Sequence, residues 1–283
     1  MSVSLPLPMP AINDWLKSAA DQLKLRGIDS SRLDAEIILA HTLKKSRTYL
    51  HAHPEQPIEL RDEEIANARL DLRLDHTPIA YIIGYKEFFG RLFNVTTATL
   101  IPRPESEDIV SAVKSLVEEN LELFQTQREL IDVGTGSGCL GITLKLELPG
   151  FDVTLSDISQ PALNVARQNA KILGAEVRTL KSNLLDDYPL KADFIVANLP
   201  YVDPAWERSP ETDYEPATAL FADNGGIEII IKLITQAKSN LKSEGYLILE
   251  ADPEQHPALT IHAIQSGLKF ISVLNYCVIF QQA

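Results

Sequence analysis

Beyond residue 129 the chain alternates short apolar runs with longer amphipathic stretches, and that alternation leaves few folds open. Runs at 130–133, 152–156, 176–180, 193–197 and 245–250 have the length of buried strands, whereas 161–173 and 226–241 carry apolar residues at helical spacing. Strands that alternate with helices pair in parallel, because each crossover helix returns the chain to the same end of the sheet. The segment therefore predicts an α/β fold, a doubly wound Rossmann-like sheet, with 270–273 and 276–280 pairing as a hairpin on its edge. In such a sheet ligands bind in the crevice at the carboxyl ends of the strands, so the residues that leave the strands are the ones to read for chemistry.

The N-terminal part reads differently. From Ile12 to about Thr77 the pattern is helical: Trp15, Leu16, Ala19, Ala20 and Leu23 share one face, and Gly27 is the stop. A second helix, with Asp29, Ser30 and Ser31 as candidate caps, carries Leu33, Ile37, Ala40 and Leu43; a third spans about 60–75 through Ile65 and Leu72. The expected organisation is a small helical bundle at 1–77, a connector at 78–107 containing a β-hairpin around Gly90, and the α/β domain at 108–283. Within the connector, Pro102 and Pro104 precede a helix expected over about 105–124. On spacing alone, residues 101–107 read as a proline-stiffened hinge.

At 283 residues, 45% apolar and 23% charged, the chain has ordinary globular composition and room for two domains. Residues 1–10 lack a basic region and are cut by Pro6, Pro8 and Pro10, which suits neither a secretion signal nor a membrane span. Cys139 and Cys277 are isolated, in keeping with a reducing compartment, so the expected location is the cytoplasm. His51 and His53 form a close pair, read as part of a solvated proline-containing loop and not as a metal site. A formal charge of −13 with no dense Lys/Arg run argues against gripping nucleic acid, whose affinity comes from neutralised phosphates, and suits a basic protein partner.

Two strand exits carry chemistry. The first is Asp132-Val133-Gly134-Thr135-Gly136-Ser137-Gly138, where glycines let backbone amides approach a ligand and the following helix N-terminus favours a carboxylate or phosphate. Asp157, at the end of the next strand, takes the place of a ribose-hydroxyl acceptor. Gly136, Gly138 and Gly141 also match the GxGxxG of dinucleotide sites, which ranks second: Asp132 and the tight glycine spacing better suit a small zwitterionic nucleoside, S-adenosylmethionine. The second exit is Asn198-Leu199-Pro200-Tyr201. A planar amide or amino nitrogen has a delocalised lone pair, and two acceptors aimed at its N–H bonds favour attack on a methyl donor. Asn198 supplies a side-chain oxygen, and Leu199, held extended before Pro200, supplies a backbone carbonyl; Tyr201 offers a stacking face. A plain strand exit, without chemistry, would also use Asn and Pro.

With these residues the chain resembles the release factor glutamine methyltransferases, which methylate the glutamine side chain in the Gly-Gly-Gln loop of peptide chain release factors. The resemblance covers most of the sequence: residues 78–84, Phe88-Phe89, residues 100–107, the glycine loop, 156–159, Asn198 to Tyr201, and Tyr214-Glu215-Pro216. It implies that the loop from Gly134 to Gly138 and Asp157 hold S-adenosylmethionine, that Asn183 and Leu184 lie along its adenine, and that Asn198 to Tyr201 bind the glutamine amide. It further implies a release factor as protein partner; the charge argues against direct nucleic acid contact, no membrane contact is expected, and a monomer is the default. Leu199 stands where the family usually has proline; leucine keeps the carbonyl but frees φ, so a less rigid loop is expected. The remaining alternatives are an amino-methyltransferase of nucleic-acid bases, using the same acceptor pair, and a cofactor-binding interaction module without turnover.

Overall fold

A computed structural model describes residues 9–120 and 128–282, and the chain divides into two compact units between Gly84 and Tyr85. The first unit is helical: α1 (Ile12–Leu25), α2 (Ser31–Leu43), α3 (Arg47–Ala52), α4 (Leu60–Leu74) and α5 (Ile79–Ile83). Residues 79–83, expected in the connector, thus form a short helix of this unit. Helix α1 buries Ile12, Trp15, Leu16, Ala19 and Leu23, the face its periodicity predicts.

Helices α2 and α4 are rotated from expectation. In α2 the core face is Ala35, Ile38 and Leu39, while Leu33 is exposed; in α4 it is Ala66 and Leu70, with Ile65 and Leu72 exposed. Ion pairs account for the shift. Arg73 turns inward to donate to Asp34 at 2.7 Å with both side chains almost fully buried, and Glu36 accepts from Arg32 and Arg47 at 2.9 Å each. Charged residues can occupy a core face only when paired in this way. Ser30 holds the N-cap position of α2 but donates its hydroxyl to Asp34 and caps nothing. His51 and Ala52 close α3, contrary to the loop expected there, and the His51 ring faces Glu36 at 3.4 Å.

The second unit begins with the expected hairpin, β1 (Tyr85–Phe88) and β2 (Arg91–Asn94), and a single 3-10 turn at Pro104–Ser106 leads into α6 (Glu107–Glu119). The expected continuation of that helix to Phe124 lies outside the described residues. The sheet then follows: β3 (Arg128–Val133), α7 (Cys139–Glu147), β4 (Phe151–Asp157), α8 (Gln160–Leu173), β5 (Arg178–Lys181), β6 (Ala192–Ala197), α9 (Ala217–Leu220), α10 (Glu228–Asn240), β7 (Leu241–Glu250), α11 (His256–Gln265), β8 (Leu268–Leu274) and β9 (Cys277–Gln282). Its order is β5-β4-β3-β6-β7-β9-β8. Strands β3 to β7 pair in parallel, and β9 runs antiparallel between β7 and β8.

Each central strand is apolar on both faces, as a sheet covered by helices requires. Leu130, Val153, Phe194, Val196 and Ile248 belong to a core shared with α6, α7 and α8. Ile131, Val133, Ile195, Leu247 and Leu249 belong to the opposite core, shared with α10 and α11. Strand order reverses at β3, whose neighbours are β4 and β6, so the crevice opens where Asp132, Asp157 and Asn198 leave their strands.

Candidate active site at the strand ends

A cavity of ≈ 620 Å³ occupies that crevice and is lined by residues from Asp132 to Ser137, by Asp157, by Asn183 and Leu184, and by Asn198, Leu199 and Pro200. Gly138 and Tyr201 are not among the residues lining it. Gly138 instead caps α7 and packs on Ile142, where an added Cβ would meet the Ile142 side chain at 2.6 Å.

Asp132 is almost wholly buried at the end of β3. Its Oδ2 accepts from the Thr135 hydroxyl at 2.5 Å and from the Gly141 amide at 2.9 Å, whereas Oδ1 has no hydrogen-bond partner among the described residues. Burial pushes this carboxyl up to about 6, against the two hydrogen bonds that favour its charge. Gly141, the last glycine of the GxGxxG match, is a packing residue: a Cβ there would lie 2.3 Å from Leu155. Asp157 faces the loop from β4, accepting from the Gly136 amide at 2.9 Å and the Ser159 amide at 2.8 Å; burial raises its pKa. Each of its oxygens keeps a second lone pair for a hydroxyl.

On the far rim, Asn183 is exposed and donates to Asp186 at 3.3 Å. Leu184 adopts φ +54°, a left-handed conformation that leucine rarely takes. Gln236 of α10 ties the turn down, accepting from the Leu185 amide at 3.0 Å and donating to Asp186 at 2.7 Å.

At the exit of β6, Asn198 donates through Nδ2 to the Ser106 hydroxyl oxygen at 2.7 Å, and its Oδ1 takes no hydrogen bond from any described residue. The Ser106 hydroxyl donates to Glu250 Oε2 at 2.5 Å, and the Tyr201 hydroxyl donates to Glu250 Oε1 at 3.1 Å. Tyr201 is therefore anchored by its phenol, which burial and the Glu250 charge raise above the usual tyrosine range. Leu199 is buried, and its side chain fills the space beside Gly134, where an added Cβ would lie 2.7 Å from Leu199 Cδ2. The glycine loop and the second exit are thus packed directly together.

Residues 97–103 and Ser106 close the near side of the cavity. They are not a hinge. Buried Glu215 accepts from the Ile101 amide at 2.9 Å and pairs with Arg103, pinning the segment. Gln255 does similar work behind Tyr201, donating to the Tyr201 carbonyl at 2.8 Å and the Gly225 carbonyl at 2.7 Å. Reading the sequence missed Ser106, Glu215, Glu250 and Gln255 as site residues, although the first two fall in stretches that the family resemblance marked. Among the described residues, no group of His, Cys, Asp and Glu is placed to hold a metal ion.

A seven-stranded sheet of this order, with a glycine loop and an acidic residue at its first two strand exits, is the Rossmann-like sheet of methyltransferases. A solved methyltransferase from Pyrococcus furiosus shares it, with a TM-score of 0.51 at 18% identity over 70% of this chain and 92% of that one. Residues 106–264 match the methyltransferase small domain model, and residues 14–84 match the PrmC N-terminal domain model. The release factor glutamine methyltransferase of Leptospira interrogans is 37% identical over 260 residues, 89% of each chain. That of Koribacter versatilis is 37% identical over 246 residues, 83% of this chain and 86% of that one. The chain belongs to the release factor glutamine methyltransferase family.

Proposed function

We propose that this protein methylates the side-chain amide nitrogen, N5, of the glutamine in the Gly-Gly-Gln loop of peptide chain release factors, and so supports translation termination. The observation that carries the reading is the placement of Asn198, whose Oδ1 takes no hydrogen bond from a described residue, in the lining of a cavity also lined by Asp132, whose Oδ1 has no partner among the described residues. The donor is S-adenosylmethionine, and the residues present suit it. A buried carboxylate oxygen without a partner matches an ammonium group, the amides of the loop from Gly134 to Ser137 match a carboxylate, and Asp157 matches ribose hydroxyls. Asn183 and Leu184 form the rim proposed for the adenine.

Bound S-adenosylmethionine supplies an electrophilic methyl group on a sulfonium centre. This chain supplies orientation. Asn198 Oδ1 and the Leu199 carbonyl accept the two N–H bonds of the target amide, which favours the bent nitrogen needed for attack, and Pro200 limits where that carbonyl points. The surplus proton leaves to solvent, so the chain needs no dedicated base, and positioning does the work. Tyr201 holds the turn through its phenol and backbone carbonyl. The same reading has a release factor as partner and a monomer in the cytoplasm that contacts no nucleic acid, which the charge of −13 supports. No described helix is long and apolar enough to cross a membrane.

The test offers the protein labelled S-adenosylmethionine with an intact release factor, with its loop Gln-to-Ala variant, and with DNA. Label on the intact factor alone is the expected result; label on DNA or on the variant instead refutes the reading. Asn198→Ala should lower kcat by about 10²–10³-fold, the cost of one missing acceptor at a preorganised site. Cofactor affinity, measured calorimetrically on the same variant, should stay within about threefold because the amide faces the substrate side.

A further inference from the structure

Glu250 is a carboxylate 1% exposed at the end of β7, opposite Cys277 of β9, and it forms no ion pair among the described residues. A buried carboxylate without a cation is costly, and hydrogen bonds offset only part of that cost. Its two oxygens are taken by Ser106 and Tyr201, and Ser106 in turn receives the Asn198 amide. We propose, building on the methyl-transfer reading above, that the charge on Glu250, relayed through the Ser106 hydroxyl, fixes which end of the Asn198 amide faces the target. Glu250 and Ser106 are then positioning residues for the reaction.

Donor and acceptor counts fix the direction of each hydrogen bond. An ionised carboxylate only accepts, so the single Ser106 proton is committed to Glu250 Oε2. The Ser106 oxygen is left with lone pairs and can only accept from its other neighbour, which selects the NH₂ end of Asn198 at 2.7 Å. Asn198 Oδ1 therefore points the other way, as an acceptor for the target N–H. Protonating Glu250 reverses the chain. Its new proton is given to the Ser106 oxygen, the Ser106 hydroxyl becomes free to donate, and Asn198 can turn its oxygen inward and its NH₂ outward. The target amide then meets a donor where it needs an acceptor.

Geometry favours control by pH. Burial raises the Glu250 pKa, opposed by the hydrogen bonds from Ser106 and Tyr201; Glu105 adds to the rise, and the nearby Asn198 amide lowers it, so the carboxylate also favours the NH₂ end of Asn198 directly. The other titratable groups near it are Cys139 of α7, Cys277 of β9 and Tyr201, none of them a cation. The active form carries the negative charge, so kcat should rise with pH through a midpoint above the ordinary glutamate range.

The test uses the full chain with ¹⁵N-asparagine labelling, the Asn198 side-chain resonance being assigned by its loss in Asn198→Ala. In the wild type that resonance should move in one titration, and in the isosteric Glu250→Gln it should be independent of pH. Both Glu250→Gln and Ser106→Ala should lower kcat by about 10²-fold while leaving cofactor affinity within about threefold, and the double variant should be no worse than about threefold below the weaker single. Ser106→Thr, which keeps the hydroxyl, should recover at least about tenfold over Ser106→Ala and retain the acid limb. A resonance indifferent to pH and to Glu250→Gln, or losses that multiply in the double variant, overturns the proposal. If the resonance follows Glu250 but no label reaches a release factor, the positioning stands and the substrate reading falls. If label is transferred and the resonance ignores Glu250, the positioning alone falls.

Discussion

Asp132 shows how a single buried group is set against itself. Folding without cofactor disfavours its charge, while an ammonium ligand requires it. Because the folded pKa is raised from 3.8 to about 6, the unliganded folded protein keeps this proton to higher pH than the unfolded chain does, and the stability it contributes falls as pH rises from the unfolded value through about 6. Cofactor affinity should run the opposite way, increasing as pH climbs through about 6; calorimetry from acid to mildly alkaline pH reads this, and Asp132→Asn should flatten the profile and weaken binding at pH 8. Leu199 gives a second prediction. Its buried side chain packs on Gly134, so Leu199→Ala should destabilise by roughly 2–5 kcal/mol in denaturant titration. Leu199→Pro keeps the carbonyl and should retain turnover, though with reduced stability, because proline fills less of that space. At this scale the sequence exposed Asn198 and Asp157 readily, since each closes an apolar run. Ser106 and Glu250 were hidden because their hydrogen bond joins residues 144 positions apart, and no local pattern reports such a pair.

At the level of elements, the segment before α6 behaves as a clamped wall of the cavity. Two prolines made it look like a hinge, but Glu215 lies 114 positions from its Ile101 partner, too far for spacing to reveal the clamp. Glu215→Ala should free residues 97–103, raising their amide hydrogen exchange and the KM for cofactor by about tenfold, with a smaller effect on kcat at saturation. Unchanged exchange in that stretch would show that the prolines alone hold it. Strand positions were legible because apolar runs buried on both faces stand out in any sequence. The phases of α2 and α4 were not, since the inward turn of Arg73 toward Asp34 places charge where periodicity expects leucine. Gln236 is a comparable case on the adenine rim: Gln236→Ala leaves the Leu185 amide without its acceptor and should weaken cofactor binding by about tenfold at little cost to the sheet.

Across the whole molecule the fold class followed from alternation alone, whereas the division between units fell at Gly84 and Tyr85, a few residues beyond where helical periodicity fades. The sheet ends at β8, where Phe270, Ile271, Val273 and Leu274 are each at least 40% exposed. An apolar edge strand is a template for unwanted pairing. Ile271→Lys should raise the concentration at which the protein aggregates on heating while changing stability by no more than about 0.5 kcal/mol and leaving methyl transfer intact. The strand order β7-β9-β8 also dictates a sequence of events in folding. Strand β8 has no direct partner in β7, so it cannot join the sheet until the residues after it have doubled back and entered first. Strand β9 docks on β7 and carries β8 on its outer side. Their arrival sets buried Cys277 opposite Glu250, so the last strands to dock cover the carboxylate to which Ser106 and Tyr201 donate.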